Sequence, residues 1–252
     1  MPRARRVKRG VGHEEMGYKI IIGLAVGCLF AASAEGEDVK SRIKNVPRDH
    51  PRLFVRRGED VTLRRKIDSD SLLRRAFKHV TMIADGIQEM RPVERKKVGR
   101  RLLGVSRTCL KRVLYLALAH RLTGDNSHAV RAQEEMLAAA KFTDWNPSHF
   151  LDVAEMTAAL AIGYDWVYED LDPEARQVIK KAIIEKGLKT SLKGGWWVNS
   201  ENNWNQVCHG GLTLGALAVL EDEPDLAAQI IERAINNLPK AMAEAYGVSR
   251  HK

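Results

Sequence analysis

Beyond residue 58 the chain is written in long stretches where apolar residues recur every three or four positions, separated by brief polar turns. That spacing predicts helices. Period-two runs and Asn-Gly hairpin signals are missing, and only Leu53-Phe54-Val55 after His50-Pro51-Arg52 suggests a short extended piece. The turns carry helix stop and start residues. The stretch 102–122 ends at Thr123-Gly124-Asp125 and is followed by 129–141. The stretch 150–168 ends at Glu169-Asp170-Leu171, and Asp172-Pro173 opens 174–187. The stretch 212–220, whose helix starts near Asn202, ends at Glu221-Asp222-Glu223, and Pro224 opens a helix to 245. These are three helical hairpins repeating at roughly 50 residues, a spacing typical of stacked helix pairs. The first helix of a pair is small and apolar, as in 154–163 and 210–220, whereas the second is charged, as in 174–186 and 229–240. First helices are therefore expected inside and second helices outside. The fold class predicted is all-α, an incomplete (α/α) toroid of helical hairpins or a solenoid. The loops leading into the inner helices should then ring one end of a central cavity.

Ahead of this region, residues 1–34 read as a cleaved signal peptide. They comprise basic residues, an apolar run over 20–32, and Ala32-Ser33-Ala34 before an acidic segment. The run is short for a membrane span of roughly 20 residues, so no stable span is expected after cleavage. Met16 is an alternative start, and a lipoprotein reading would use Cys28. An exported protein, periplasmic or secreted, follows. The expected division is 1–34 signal peptide, 35–58 extended lead-in and 59–252 helical domain.

The formal net charge of +9 falls to +5 once the six Lys/Arg and two Asp/Glu of residues 1–34 are removed. The clearest basic region, with Arg95, Lys96, Lys97, Arg100, Arg101, Arg107, Lys111 and Arg112, is either a solvated face or an attractor for a polyanion. Nucleic acid is a poor partner for an exported chain without a recognisable binding motif. An acidic polysaccharide fits better. Cys109 and Cys208 either pair or sit buried as small hydrophobes, and no spacing suggests structural zinc.

The densest candidate chemistry lies in 196–211. With a helix beginning near Asn202, about 100° per residue puts Asn202, Asn205, Gln206 and His209 on one face. Amides can donate to a carboxylate without adding charge, and an imidazole exchanges protons near neutral pH. Trp196, Trp197 and Trp204, together with Trp145 and His149 of the loop before the preceding hairpin, offer either sugar-stacking surface or loop anchoring. Asp152 and Glu155 can be read as a hydrolytic carboxylate pair. Being three residues apart on one helix, they fit hydrogen bonding to the 145–149 loop or to helix N-termini better. Tyr164, Asp165, Trp166 and Tyr168 belong to the far end of that helix, in packing roles. Gly210 and Gly211 permit close backbone approach, for a ligand or for a neighbouring helix.

His50-Pro51-Arg52-Leu53, Leu122-Thr123-Gly124-Asp125, the 144–152 stretch DWNPSHFLD, Ala161-Ile162-Gly163-Tyr164-Asp165-Trp166 and Asn202-Asn203-Trp204-Asn205-Gln206-Val207-Cys208 together resemble the heparinase II/III-like polysaccharide lyases, over about 48–246. The resemblance implies the helical N-terminal toroid of that family and β-elimination on a uronic-acid polysaccharide. It implies no cofactor or metal for this chain. By resemblance Asn203, with Asn202 second, neutralises the uronate carboxylate, and His209 is a geometric candidate for the base. Trp204 stands where relatives carry His, so no base role passes to it. Trp145, His149, Trp196, Trp197, Trp204, Asn205 and Gln206 are the expected substrate-binding residues. The family continues into a segment with a catalytic tyrosine and then a β-sandwich. This sequence stops soon after Tyr246, a residue too early to inherit that role, so a truncated part with little activity is expected. Two alternatives remain: a toroid glycoside hydrolase using Asp152, and a non-catalytic carbohydrate-binding module. The identity of the polysaccharide and the oligomeric state are not readable from the chain.

Overall fold

The computed structural model describes the backbone of residues 39–246 and the side chains of 39–242. The expected signal peptide at 1–34, with Cys28, lies outside the described residues, as does the chain beyond 246. The described residues are all-α: α1 (Val39–Lys44), α2 (Glu59–Ser69), α3 (Ser71–Gln88), α4 (Leu103–Thr123), α5 (Asn126–Ala140), α6 (Phe150–Trp166), α7 (Pro173–Ala182), α8 (Asn203–Ala218) and α9 (Pro224–Tyr246). No strand occurs among them.

The helix boundaries follow from local chemistry. Asp70 caps α3 by accepting from the backbone amides of Leu72 and Leu73, and Asp125 caps α5 by accepting from that of Ser127. Gly124 closes α4 with φ 79°, its amide donating to the His120 carbonyl 2.7 Å away. Pro173 and Pro224 each occupy a first helical position, where the missing amide hydrogen costs nothing. The lead-in 35–58 is not extended throughout. It holds α1, which packs on α9, buries Ile43, and pairs Lys40 with Asp225 at 3.0 Å.

The three expected hairpins are α4–α5, α6–α7 and α8–α9. Helix α6 lies between α4 and α8, and all seventeen of its residues are buried. Its Met156, Leu160 and Ile162 are essentially inaccessible, each contributing about 2 kcal/mol of hydrophobic stabilisation. Close approach depends on glycines. A Cβ on Gly211 of α8 would overlap the Ala154 carbonyl of α6, and one on Gly163 would overlap Val113 and Met136. Thr157 of α6 fits between Gly215 of α8 and Gly187, which lies in the wider π-turn Ile183–Lys189 that extends α7.

At the C-terminal end of α6, Asp165 ties the lead-in to the bundle. Its fully buried carboxylate accepts from the backbone amides of Arg52 and Leu53 and from Nδ1 of His50 at 2.7 Å, while His50 Nε2 meets Glu221 at 2.8 Å. Burial by itself would lower the His50 pKa, but the bonds to Asp165 and Glu221 hold it above its ordinary value. Trp166 donates Nε1–H to the Leu53 carbonyl. The Tyr164–Tyr168 cluster at this end is a packing and anchoring structure, as its place in the sequence predicted.

Candidate functional site

Helices α4, α6 and α8 run in the same direction, so the loops before them gather at one end. The 144–149 loop is built on carboxylate acceptors. Asp144 Oδ1 accepts the Asn146 amide at 2.6 Å, and Asn146 takes the left-handed conformation, φ 60°, that asparagine tolerates. The ion pair with Arg95 at 2.7 Å, outweighing partial burial, lowers the Asp144 pKa. One turn on, Asp152 is fully buried. Its Oδ2 accepts from the Leu102 amide at 2.6 Å and from Asn146 Nδ2 at 2.7 Å, and its Oδ1 faces His149 Nδ1 at 2.6 Å.

That last bond sets the histidine's tautomer. With the carboxylate accepting, Nδ1 carries the hydrogen, so in the neutral ring Nε2 is left with its lone pair. Nε2 has no protein partner among the described residues. The His149 ring meets Trp204 edge-on at 4.8 Å, and Trp204 in turn leans on Trp196 at 4.7 Å. Trp196 is 62 % exposed. An oriented, largely buried imidazole therefore adjoins Trp204, which in turn carries the solvent-exposed ring of Trp196.

Helix α8 begins beside it. Asn202 caps the helix through Oδ1, which accepts the Trp204 amide at 2.9 Å. Asn203 is exposed in the first turn and makes no side-chain hydrogen bond among the described residues. Asn205, Gln206 and His209 do share a face, but that face is covered by the 3-10 turn Trp196–Asn199 and by α9. Asn205 donates to the carbonyls of Val198 at 2.8 Å and Asn237 at 3.4 Å, Gln206 reaches the Ala241 carbonyl, and His209 Nε2–H donates to Val198 at 3.2 Å. The expected open surface of Asn202, Asn205, Gln206 and His209 is thus corrected. Asn202 stays at the rim, Asn205 and His209 fasten the tryptophan turn from beneath, and Gln206 joins α8 to α9.

The five tryptophan and histidine candidates also separate. Trp145 is fully buried and donates to the Ala139 carbonyl at 3.0 Å. Trp197, 2 % exposed, stacks on Phe150 at 4.7 Å and lies beneath Arg233. Both are loop anchors, because every face of each ring is occupied by protein, and neither offers a platform to a sugar. His149, Trp196 and Trp204 remain. Asp152 as a hydrolytic carboxylate is disfavoured for the same reason: both oxygens are engaged and neither faces solvent. Glu155, also buried, pairs with Arg107 at 3.1 Å.

Two features of the site carry little or no sequence signal. The Leu102 amide as a ligand of Asp152 has no sequence signal, since nothing in the residue type marks it. The docking of the basic 95–101 segment onto the 144–149 loop had a partial signal in its run of Lys and Arg.

His209 has a testable signature. Burial lowers its pKa to about 4, with Arg233 adding to the effect and the Val198 bond opposing it. A histidine unfolded near 6.5 and folded near 4 supports stability above pH 6.5, and that support is lost as pH falls towards 4. His50, shifted upward, acts in the opposite sense, stabilising at low pH and losing effect as pH rises. Comparing urea unfolding at pH 7 and pH 5, His209→Gln is expected to shrink the acid loss by about 2 kcal/mol. An acid loss equal to that of the wild type would show that the imidazole is not buried neutral.

Cys109 and Cys208 are free and buried, and burial pushes both thiols well above the ordinary range. Among the described residues no group of three or more His, Cys, Asp or Glu is placed to hold a metal. No described helix is long and apolar enough to cross a membrane. A 220 Å³ pocket lies at the opposite end, between Pro51, Arg121, Trp166 and Tyr168, and one of 550 Å³ lies between α5 and α7 around Leu137, Pro173 and Val178. Compared with protein-family models the chain matches none, and no curated protein matches its sequence.

Proposed function

We propose that the chain is the helical part of an exported polysaccharide lyase of the heparinase II/III-like kind, its hairpins forming an incomplete (α/α) toroid, with a uronic-acid polysaccharide as substrate. The observation that supports this most is the Asp152-oriented His149, its Nε2 without a protein partner among the described residues, packed against Trp204, on which the exposed Trp196 leans. β-Elimination needs such a base. The C5–H proton passes to the base, the C4–O bond breaks as the C4–C5 double bond forms, and the departing glycosidic oxygen takes up a proton. Asn203, exposed at the start of α8, is placed to donate to the uronate carboxyl group, and the helix N-terminus adds positive potential there. Asn202 is the second choice: its Oδ1 caps the helix, which fixes the side chain while leaving Nδ2 as a donor. His149 replaces His209 as the base: both rings are buried, but His209 Nε2 is spent on the Val198 carbonyl, whereas His149 Nε2 has no protein partner among the described residues. Among the described tyrosines, Tyr164 and Tyr168 stand at the other end of α6 and Tyr115 packs against α3, so none of them supplies the leaving-group acid.

The test combines binding with product analysis. The purified chain is expected to bind a polyuronate and to release little unsaturated uronate, read by the absorbance of the new double bond. Trp196→Ala, which removes an exposed ring and leaves the fold intact, is expected to weaken binding by roughly tenfold. New reducing ends without a double bond would instead favour hydrolysis, and binding that Trp196→Ala leaves untouched would remove the proposed sugar surface.

A further inference from the structure

The segment 95–101 turns back on itself against the 144–149 loop, touching Asp144 and Asn146. Val98 and Arg101 exchange both backbone hydrogen bonds, at 2.9 and 3.2 Å, and Gly99 takes φ 59° at the bend. This hairpin is fastened to the 144–149 loop at both ends: Arg95 pairs with Asp144, and the Arg100 carbonyl accepts from Asn146 Nδ2 at 2.8 Å. The same Asn146 amide bonds Asp152, the carboxylate that orients His149. The hairpin and the imidazole therefore share one buried anchor. Lys96, Arg100 and Arg101 are exposed on it, and their side chains make no ion pair or hydrogen bond among the described residues. Three cations displayed on a fixed turn have already lost part of the backbone entropy that a mobile loop would have to surrender on binding. Of the acidic groups at the mount, Asp144 is paired with Arg95 and Asp152 is buried with three donors on it, which leaves the exposed Glu94 just before the turn.

We infer that this hairpin is an anion-binding subsite that receives the charged groups of an acidic polysaccharide extending from the His149–Trp204 mouth. The inference rests on the polysaccharide reading above and sharpens it, since it assigns the flanking sugar units a negative charge as well as the unit at the mouth. Lys96, Arg100 and Arg101 attract the polymer at long range and hold its carboxylate or sulfate groups, while Trp196 and Trp204 meet a ring face.

The test uses the full chain and measures affinity for a polyuronate, dextran sulfate, neutral dextran and duplex DNA at several salt concentrations. The triple variant Lys96→Ala/Arg100→Ala/Arg101→Ala is compared with a charge-matched control, Arg65→Ala/Arg75→Ala/Lys78→Ala, on α2 and α3. Thermal unfolding checks that both remain folded. The hairpin variant is expected to bind polyuronate roughly tenfold more weakly at low salt and with a shallower salt dependence, while the control stays within about twofold of wild type. A hairpin variant that binds polyuronate like the wild type, or a control that weakens equally, overturns the subsite and leaves the uronate reading intact. Binding of dextran sulfate through the hairpin without binding of polyuronate supports the anion site and overturns the uronate substrate. Duplex DNA bound as tightly as either glycan, and lost in the same triple variant, overturns the assignment to a polysaccharide.

Discussion

Asp152→Ala is expected to destabilise the protein by about 3–5 kcal/mol, the range seen when one member of a buried charged network is removed. Three donors converge on this carboxylate: the Leu102 amide at the start of α4, the Asn146 side chain and His149 Nδ1. Each would be left buried and unpaired at a cost of about 1–3 kcal/mol, less whatever the loop recovers by shifting towards water. Asp152→Asn should fall in between, because the amide keeps one acceptor oxygen but presents an N–H to a donor on its other side. Equilibrium unfolding in urea measures both. The functional consequence separates two readings. As a hydrolytic group, Asp152 would lose activity on conversion to Asn with its stability unchanged. As the holder of His149, it should lose stability and glycan binding together. A loss of stability under about 1 kcal/mol for Asp152→Ala would sink the network account.

The two ends of α6 show how one buried helix does different work at each terminus. Asp165 at the C-terminal end receives backbone amides of the lead-in, so the chain before α2 is stapled to the bundle. Asp152 at the N-terminal end receives a loop asparagine, a helix amide and a histidine, so the 144–149 loop is tied to the starts of α4 and α6. Both carboxylates are completely buried and both are saturated with donors, as burial of a charge requires.

Much of the fold was legible. The turns Thr123-Gly124-Asp125 and Leu171-Asp172-Pro173 carry their own stop and start chemistry, and a stretch such as 153–163, with Glu155 its only charged residue, has nowhere to go but inside. The short helix α1 was not legible, because six residues give too little periodicity, and it is held by contact with α9, far along the chain. The site was half legible. Helical spacing correctly put Asn205, Gln206 and His209 on one face, but spacing does not say what covers a face. Here Val198 and α9 cover it. The tryptophans show the same limit: Trp145, Trp196 and Trp197 read alike in polar loops, and only packing against Ala139, Phe150 and Arg233 separates two anchors from one exposed ring. The Asp152–His149 pairing was closer to hand, since a histidine before a helix with an aspartate three residues later is a local arrangement.

Gly211→Ala is expected to be among the most damaging single methyl additions in the chain, costing at least about 3 kcal/mol. Helices gain stability from alanine at exposed interior positions, by roughly 1 kcal/mol over glycine, so propensity alone predicts the opposite sign. Geometry decides against propensity here. The added Cβ would fall on the Ala154 carbonyl oxygen of α6, with the Ala154 carbonyl carbon only 2.8 Å away, and these are backbone atoms of a fully buried helix that cannot swing aside as a side chain can. Relief requires α8 to move away from α6. That movement would also withdraw Gly215 from Thr157 and shift Trp204 from His149, so the damage reaches the candidate site. Gly163→Ala provides the contrast: its Cβ would meet the side chains of Met136 and Val113, and the flexible methionine can partly yield. Urea unfolding of the two variants should therefore rank Gly211→Ala below Gly163→Ala in stability, with glycan binding weakened more in the former. Equal stabilities, or a Gly211→Ala protein as stable as the wild type, would mean that α6 and α8 do not approach as closely as the structure places them.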